Sequence, residues 1–186
     1  MMERSVARKV SAGDGITAAE GAWRFDGAVP EVFDSHISRS IPKYAEGHDL
    51  VVELARSQLV KGGCCYELGC STGALTAKLA ACAGSKPLTL IGLDQVSGML
   101  ERARLRCAGH PQVSFELANI LDYPFSPARV VVSYYTLHFI PVSERTPLVK
   151  RIFEALEPGG KFLLFEKVRN PDPDRDQEIT AEYHAF

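Results

Sequence analysis

The sequence contains no long apolar run, no strong charge imbalance and no paired-cysteine motif, and each absence excludes a class of protein. No uninterrupted apolar stretch approaches the ~18 residues of a membrane-spanning helix, so no membrane partner is expected. The basic start of the chain is followed by no apolar run, which predicts that there is no signal peptide. The formal net charge of -2 gives no strong signature of nucleic-acid binding.

The cysteines are spread along the chain without a C-x-x-C spacing. They lie in or beside apolar segments, a placement typical of small buried side chains that stay in the reduced thiol form. The sequence therefore predicts a cytoplasmic protein without a metal site. The cysteines are Cys64, Cys65, Cys70, Cys82 and Cys107.

Apolar segments of strand length alternate with helical segments from residue 64 onward. Val130-Val131-Val132 and Phe162-Leu163-Leu164-Phe165 are apolar throughout, as strands covered on both faces are. This alternation predicts an α/β fold, a doubly wound, Rossmann-like sheet of five parallel strands with a ligand crevice at their carboxyl ends. The predicted strands are 64–68, 88–93, 113–117, 130–134 and 161–165; the predicted helices are 48–60, 73–83, 97–107 and 143–156, and 119–127 is mostly loop.

The two ends of the chain show less pattern. Residues 1–20 are polar and small and are predicted to be disordered or frayed, whereas 21–186 are predicted to form one domain. A fold of this kind usually adds two strands after the fifth, but 166–186 offer only a loop and a predicted helix, 175–186. We therefore expect either a truncated chain or a partner over the open edge of the fifth strand, most simply a second copy in a homodimer.

The segment from Tyr66 to Thr76 gives the strongest functional signal. Its sequence, YELGCSTGALT, has the pattern of a buried strand end, a tight glycine turn and a helix start. Gly69 allows the chain to reverse, and Gly73 is expected to let the backbone approach a ligand closely. Unpaired N–H groups and the positive dipole end of the helix favour an anionic or polar ligand group at this turn.

Two acidic residues indicate which ligand the turn binds. Asp94 ends the next apolar run, where a carboxylate can accept hydrogen bonds from both ribose hydroxyls of a nucleoside. The glycines follow G-x-x-x-G rather than the G-x-G-x-x-G of dinucleotide sites, and Glu67 lies two residues before Gly69. Glu67 would repel a diphosphate but attract the sulfonium and ammonium groups of S-adenosylmethionine. The turn therefore predicts an S-adenosylmethionine site; the alternative is a strand–helix junction that binds no nucleoside.

These motifs resemble those of the class I S-adenosylmethionine-dependent methyltransferases and, more narrowly, of the carboxy-S-adenosylmethionine synthases, enzymes of wobble-uridine modification in tRNA. The resemblance extends from about Phe25 to the end of the chain. It depends on Phe25-Asp26, Val29, Glu31-Val32-Phe33, Arg39-Ser40-Ile41-Pro42, Tyr44, Glu67-Leu68-Gly69-Cys70-Ser71, Gly73-Ala74, Asp94, Met99, Thr136-Leu137, Phe139, Pro158-Gly159-Gly160 and Glu166-Lys167.

The resemblance implies a set of contacts to the cofactor, to which the argument from the glycine turn adds Glu67 and Gly73. The implied residues are Gly69, Cys70, Ser71 and Tyr44 for the methionine part, Asp94 and Gln95 for ribose and adenine, and Asn119 and Ile120 for adenine. Alternatives stay open for three positions: Tyr44 as a half-buried packing aromatic, Asn119 as the start of a turn, and Tyr134 as an ordinary strand residue instead of part of the cofactor and substrate pocket.

The chain departs from the carboxy-S-adenosylmethionine synthases at three points. Tyr134 replaces an asparagine after the fourth strand, and Lys43 replaces a glycine. The arginine that pairs with the transferred carboxylate in that family would lie beyond Phe186. Since a buried carboxylate without a cationic partner is costly, these departures favour methyl transfer over carboxyl chemistry.

The sequence therefore favours an S-adenosylmethionine-dependent methyltransferase that acts on a small-molecule or nucleotide-related acceptor. One alternative is a carboxy-S-adenosylmethionine synthase that uses S-adenosylmethionine and prephenate in tRNA modification. Another is a non-catalytic S-adenosylmethionine-binding protein that acts through its open sheet edge. His138, past the fourth strand, is the candidate catalytic base, against the alternative of a structural histidine.

Overall fold

The computed structural model describes residues 9–11, 17–19, 22–23 and 29–185. Its strands are β1 (Lys9–Ser11), β2 (Thr17–Ala19), β3 (Ala22–Trp23), β4 (Cys64–Leu68), β5 (Thr89–Asp94), β6 (Val113–Leu117), β7 (Ala128–Tyr134) and β8 (Leu156–Phe165). Its α-helices are α1 (Val29–Ser40), α2 (Tyr44–Ala55), α3 (Ala74–Ala83), α4 (Ser97–Arg106), α5 (Val142–Ala155) and α6 (Pro173–Ala185), with short 3-10 helices at Arg56–Gln58 and Leu137–Phe139.

Strands β4 to β8 form one sheet in the order β6-β5-β4-β7-β8, and each neighbouring pair is parallel. The chain builds the sheet outward from β4 in both directions, so β4 lies at the point where the strand order switches. In such sheets the ligand crevice lies beyond the carboxyl ends of the strands at this switch point. The short strands β1, β2 and β3 form a separate antiparallel sheet.

The central strand β4 shows why this sequence requires a layer of helices on each face. Successive side chains of a strand point to opposite faces, and Cys65 and Tyr66 are both almost fully buried. Cys65 belongs to a cluster that includes Val51 of α2 and Leu79 of α3. Tyr66 belongs to a second cluster that includes Ile152 of α5. Helices α2 and α3 therefore cover one face of the sheet, and α5 covers the other.

The predicted five-stranded parallel sheet is confirmed, but several boundaries differ. Helix α2 covers Tyr44–Ala55 instead of the predicted 48–60. It ends early because a 3-10 helix, Arg56–Gln58, follows it. Helix α5 runs directly into β8, so the Pro158-Gly159-Gly160 segment lies inside a strand with a bulge. Within the segment 1–20 that the sequence predicts to be frayed, β1 and β2 form strands, and the other residues of that segment lie outside the described ones.

Strand β8 is an edge of the central sheet and has no partner on its outer side within the described residues. Residues 166–185 contribute α6 and no further strand. A partner over this edge stays a prediction. None of the helices in the described ranges is both long and apolar enough to cross a membrane.

Candidate cofactor and acceptor site

A cavity of about 620 Å³ lies at the carboxyl edge of the central sheet, where the fold places the ligand crevice. It extends from the end of β5 across the ends of β4 and β7 to the 3-10 helix Leu137–Phe139. The predicted site residues that line it are Tyr44, Gly69, Ser71, Asp94, Gln95, Ile120, Tyr134 and His138. Residues distant in sequence therefore meet in one cavity large enough for a small ligand.

The glycine turn is held against the neighbouring strand by backbone hydrogen bonds. The N–H groups of Gly69 and Cys70 both donate to the carbonyl oxygen of Leu93, at 2.8 and 2.9 Å. Gly69 has a φ of +69°, a conformation that side-chain-bearing residues rarely adopt. A Cβ atom at this position would also lie 2.6 Å from Oγ1 of Thr136, so glycine is required for two independent reasons.

Asp94 is oriented by the same turn. One carboxylate oxygen accepts a hydrogen bond from the Ser71 N–H and the other accepts one from the Val96 N–H, each at 2.9 Å. Burial raises the pKa of Asp94, while these backbone donors act in the opposite direction. Each carboxylate oxygen keeps a lone pair that can accept a hydroxyl hydrogen. Asp94 can therefore accept hydrogen bonds from two vicinal hydroxyls, as a ribose requires.

Glu67 is an acidic side chain enclosed by protein. It is 4% exposed, and its carboxyl group accepts a hydrogen bond from Oγ1 of Thr76 at 2.5 Å. Burial, with the nearby Asp94 adding to it, raises the pKa of Glu67 from 4.5 to about 8 despite the Thr76 hydrogen bond. A protonated carboxyl at neutral pH becomes a carboxylate once a cation lies near it. The site therefore fits a ligand that brings positive charge to the turn.

Three tyrosines, Tyr44, Tyr134 and Tyr135, form an aromatic wall of the cavity. The ring of Tyr44 packs edge-on against Tyr134 at 5.2 Å and stacks on Tyr135 at 6.3 Å, measured between ring centroids. The Tyr134 hydroxyl donates to the backbone carbonyl of Tyr44 at 2.8 Å. Gly47, in the middle of α2, makes room for this contact, since a Cβ there would lie 2.0 Å from the Tyr134 oxygen.

Helix α1 supplies a further wall that the sequence does not predict. Phe33, Ile37 and Ile41 from this region line the cavity. The helix is fixed to the turn by Asp34, which accepts hydrogen bonds from Thr72 at 2.5 Å and from Arg106. Burial alone would raise the Asp34 pKa, but these two donors outweigh it and hold the pKa below its usual value.

Other predicted residues lie elsewhere. Glu67 and Cys70 line a small adjoining cavity that also reaches Tyr44 and Tyr134. Gly73 lines neither cavity, and a Cβ there would lie 2.9 Å from Ala103, so this glycine allows α4 to pack closely; its approach to a ligand stays a prediction. Asn119 also lines neither cavity, and its side-chain oxygen accepts the Leu121 N–H at 3.0 Å, which supports the alternative that it starts a turn. The cofactor contacts of the lining residues stay predictions.

Backbone strain is concentrated around the cavity. Among the described residues, the only non-glycine positions with positive φ are Lys43, Ser71 and Tyr135, at 55°, 49° and 53°. Ser71 and Tyr135 line the cavity, and Lys43 precedes Tyr44, which also lines it. Such strained positions persist where the surrounding structure holds them, often at functional sites. Lys43 stands where the carboxy-S-adenosylmethionine synthases have a glycine, and glycine adopts this left-handed conformation without penalty.

A family model described as a methyltransferase domain matches residues 66–160, which include the end of β4, the glycine turn, Asp94 and the first half of β8. The parallel strand order and the turn agree with this match. Among solved structures, the fold is similar to the DhpI–SAM–HEP complex (20% identity, TM-score 0.60, covering 82% of this chain and 66% of the other). It is also similar to the N-methyltransferase NodS of Bradyrhizobium japonicum with S-adenosyl-L-homocysteine (21% identity, TM-score 0.57, 78% and 66%). Fold and site therefore define a class I S-adenosylmethionine-dependent methyltransferase.

Curated relatives narrow this class. The chain is 39% identical over 166 residues to the carboxy-S-adenosyl-L-methionine synthase of Wolinella succinogenes, covering 88% of this chain and 69% of that protein. It is 38% identical to the enzyme of the same name from Nitratiruptor, covering 90% of this chain and 70% of the relative. The chain belongs to this family. It is an S-adenosylmethionine-dependent transferase, and S-adenosylmethionine is its cofactor.

A glycine series tests the turn. Gly109→Ala should leave the free energy of unfolding nearly unchanged, since Gly109 has no positive φ and no atom within 4 Å of an added Cβ. Gly62 has a φ of +76°, but no atom lies within 4 Å of an added Cβ. Gly62→Ala should therefore lower the free energy of unfolding by about 1 kcal/mol. Gly69→Ala should lower it further, because its Cβ also displaces Thr136. Chemical denaturation measures all three, and equal losses for Gly62 and Gly69 would contradict the close contact.

Asp94→Ala tests the ribose contact. Removing the carboxylate should weaken binding of S-adenosylhomocysteine by about 1.5–3 kcal/mol, since hydroxyl groups lose a charged acceptor. Titration calorimetry measures the change. Asp122→Ala, at an exposed carboxylate outside the cavity, is the matched control and should bind normally. Unchanged affinity in Asp94→Ala would remove Asp94 from the cofactor site.

The raised pKa of Glu67 predicts that binding of a cationic cofactor releases a proton. Because its pKa is about 8 in the described structure, Glu67 is mostly protonated at pH 7, and a cationic ligand lowers that pKa. Binding should therefore tighten as the pH rises toward 8. At pH 7 the observed binding enthalpy should differ between phosphate and Tris buffers. The difference should equal the number of protons released multiplied by the difference between the ionisation enthalpies of the two buffers. Glu67→Gln keeps an acceptor for Thr76 and should abolish the difference; a wild-type enthalpy independent of buffer contradicts the assignment.

Proposed function

We propose that this transferase moves the methyl group of S-adenosylmethionine to a small-molecule acceptor bound in the cavity past β7. The observation that carries the proposal is the chemistry of the cavity wall. Its described lining residues include aromatic and aliphatic side chains, Asp94 and His138, but no lysine or arginine. A transferred carboxylate without a cationic partner would be costly there, whereas a methyl group needs none.

Tyr134 supports methyl transfer in a second way. It occupies the position where the family resemblance expects an amide, and its hydroxyl is already bonded to the Tyr44 carbonyl at 2.8 Å. The guanidinium that the sequence suggests near the site, Arg39, lies on an exposed part of α1 and donates from Nε to the Ser35 carbonyl at 3.0 Å. Neither Tyr134 nor Arg39 therefore supplies a positive charge to the cavity.

The chain itself contributes alignment and exclusion of water. The cofactor supplies an electrophilic methyl group on a sulfonium. The glycine turn and Asp94 would fix the two ends of the cofactor, and the aromatic wall of Tyr44, Tyr134 and Tyr135 would hold the acceptor opposite it. Positioning two reactants in line provides a large share of the rate enhancement in such displacements.

Carboxy-S-adenosylmethionine synthesis is the second candidate, favoured by the names of the curated relatives. The chain covers 69% and 70% of the length of these two proteins. A role in tRNA modification depends on this second candidate, whereas methyl transfer does not require it.

A homodimer and a cytoplasmic location are further proposals. The open edge of β8 supports self-association, because an unpaired edge strand offers a row of backbone donors and acceptors. All five cysteines are free thiols, which suits a reducing compartment.

Incubation with S-adenosylmethionine, with and without prephenate, separates the two candidates. Methyl transfer predicts S-adenosylhomocysteine as the product, formed only with a methyl acceptor and independent of prephenate. Mass spectrometry should show no cofactor carrying an added carboxylate, and Asp94→Ala should lose turnover. A prephenate-dependent peak at the added-carboxylate mass would overturn the proposal in favour of carboxyl transfer.

A further inference from the structure

We propose that His138 is the general base of this transferase and that the acceptor is an amine that arrives protonated; this inference rests on the proposed methyl transfer. His138 lies in the 3-10 helix Leu137–Phe139 directly after β7 and lines the large cavity together with Tyr134 and Tyr135. Thr136, two residues before His138, donates to the Leu68 carbonyl beside the glycine turn, so the turn and His138 border the same cavity.

A carboxylate fixes the histidine ring. Nδ1 of His138 lies 2.7 Å from Oε2 of Glu166, the residue that follows β8. Oε1 of Glu166 accepts the backbone N–H of Leu137 at 2.5 Å, so both carboxylate oxygens hold the same turn. A carboxylate only accepts hydrogen bonds, so Nδ1 must carry the proton. Nε2 of neutral His138 is then the unprotonated, basic nitrogen.

Nε2 makes no hydrogen bond within the described part of the chain. The other contacts of His138 are its ring packing on Phe139 and a bond from Arg145 to its backbone carbonyl at 3.4 Å. A histidine with one nitrogen held by a carboxylate and the other available has the arrangement of a general base and its positioning residue. Glu166, 14% exposed at its side chain, is the positioning residue and also stabilises the imidazolium that forms.

The charge of the cavity indicates which acceptor needs this base. Glu166 contributes one negative charge beside the His138 ring, and Asp94 is a second acidic residue in the wall of the same cavity. Tyr44, Tyr134 and Tyr135 also line the cavity, and the faces of aromatic rings attract cations. No lysine or arginine among the described lining residues offsets this pattern. An ammonium group is favoured here, and a carboxylate or phosphate is disfavoured.

The chemical step is balanced with the residues present. Nε2 of His138 takes a proton from the ammonium group, which frees the nitrogen lone pair. The amine nitrogen then forms a bond to the methyl carbon, while the carbon–sulfur bond breaks and its electron pair stays on sulfur. The products are the N-methylated ammonium ion, S-adenosylhomocysteine and an imidazolium paired with Glu166. An ammonium group has no lone pair, so methyl transfer cannot occur until the base has acted.

The first experiment is independent of turnover. Long-range ¹H–¹⁵N correlation spectra of ¹⁵N-histidine-labelled protein, assigned with His138→Gln, report which ring nitrogen carries the proton. We expect the Nδ1–H form in the wild type and a loss of that preference in Glu166→Gln. An Nε2–H form of His138 in the wild type would overturn the proposal, because no basic nitrogen would then face the cavity.

The second experiment uses 2-phenylethylamine and its anionic analogue 3-phenylpropionate as probes, with S-adenosylhomocysteine formation as the readout. We expect turnover with the amine only. His138→Gln should lower kcat by about 100-fold or more while calorimetric affinity for S-adenosylhomocysteine is retained. His110→Gln, at the opposite end of the sheet before β6, is the matched control and should keep wild-type kcat.

The outcomes separate this inference from the proposed function. Loss of cofactor binding in the wild type, or carboxyl transfer with prephenate, would refute methyl transfer itself. Cofactor binding without turnover of the amine, preference for 3-phenylpropionate, or a kcat of His138→Gln within about threefold of wild type would refute the base and acceptor assignment alone. Recovery of kcat in His138→Gly on adding imidazole would support a chemical role, which a merely structural histidine would not show.

Discussion

The site depends on one carbonyl oxygen, that of Leu93 at the end of β5, which accepts the N–H groups of both Gly69 and Cys70. These two hydrogen bonds hold the turn after β4 against the neighbouring strand. The turn then presents the Ser71 N–H to Asp94, so that the two strand ends are joined a second time. The position of Asp94, the burial of Glu67 and the start of α3 all follow from this junction.

The remaining walls are attached to the junction by side chains. Asp34 connects α1 to Thr72 in the turn, and Thr136 after β7 donates from Oγ1 to the Leu68 carbonyl at 2.8 Å. Glu166 after β8 holds the Leu137–His138 turn. Each element that borders the cavity is thus linked by a hydrogen bond to an element beside it. This network explains how a cavity formed by distant parts of the chain can keep a fixed shape.

Residues whose role is set by neighbours in sequence could be predicted, and those set by distant contacts could not. Gly69 and Asp94 lie at strand ends, and an alternating strand and helix pattern is enough to place them at one edge of a sheet. Phe33 and Ile37 line the cavity because α1 is held beside it by the hydrogen bond from Thr72 to Asp34. These two residues are 38 positions apart in the sequence. Gly73 shows the same limit, since its motif position predicts a ligand contact but says nothing of its close packing against Ala103.

The sequence also holds a weaker signal at Gly47. Gly47 lies inside a helix, where glycine is unfavourable by about 1 kcal/mol relative to alanine and needs a reason. That reason, the Tyr134 hydroxyl, comes from a strand that lies far away in sequence and could be found only in the fold. Strand β8 also could not be predicted in full from the sequence. It begins at Leu156 instead of at the predicted residue 161, because Leu156 pairs with Ala128 of β7.

The contact between Gly47 and Tyr134 also fixes one boundary of the cavity. Tyr134 lines both the large cavity and the small one beside the turn. A Cβ at residue 47 would lie 2.0 Å from the Tyr134 oxygen, so any side chain there would push the ring out of its present place. The volume at the carboxyl edge of the sheet therefore depends on a glycine in α2, a helix that takes no part in the junction between β4 and β5.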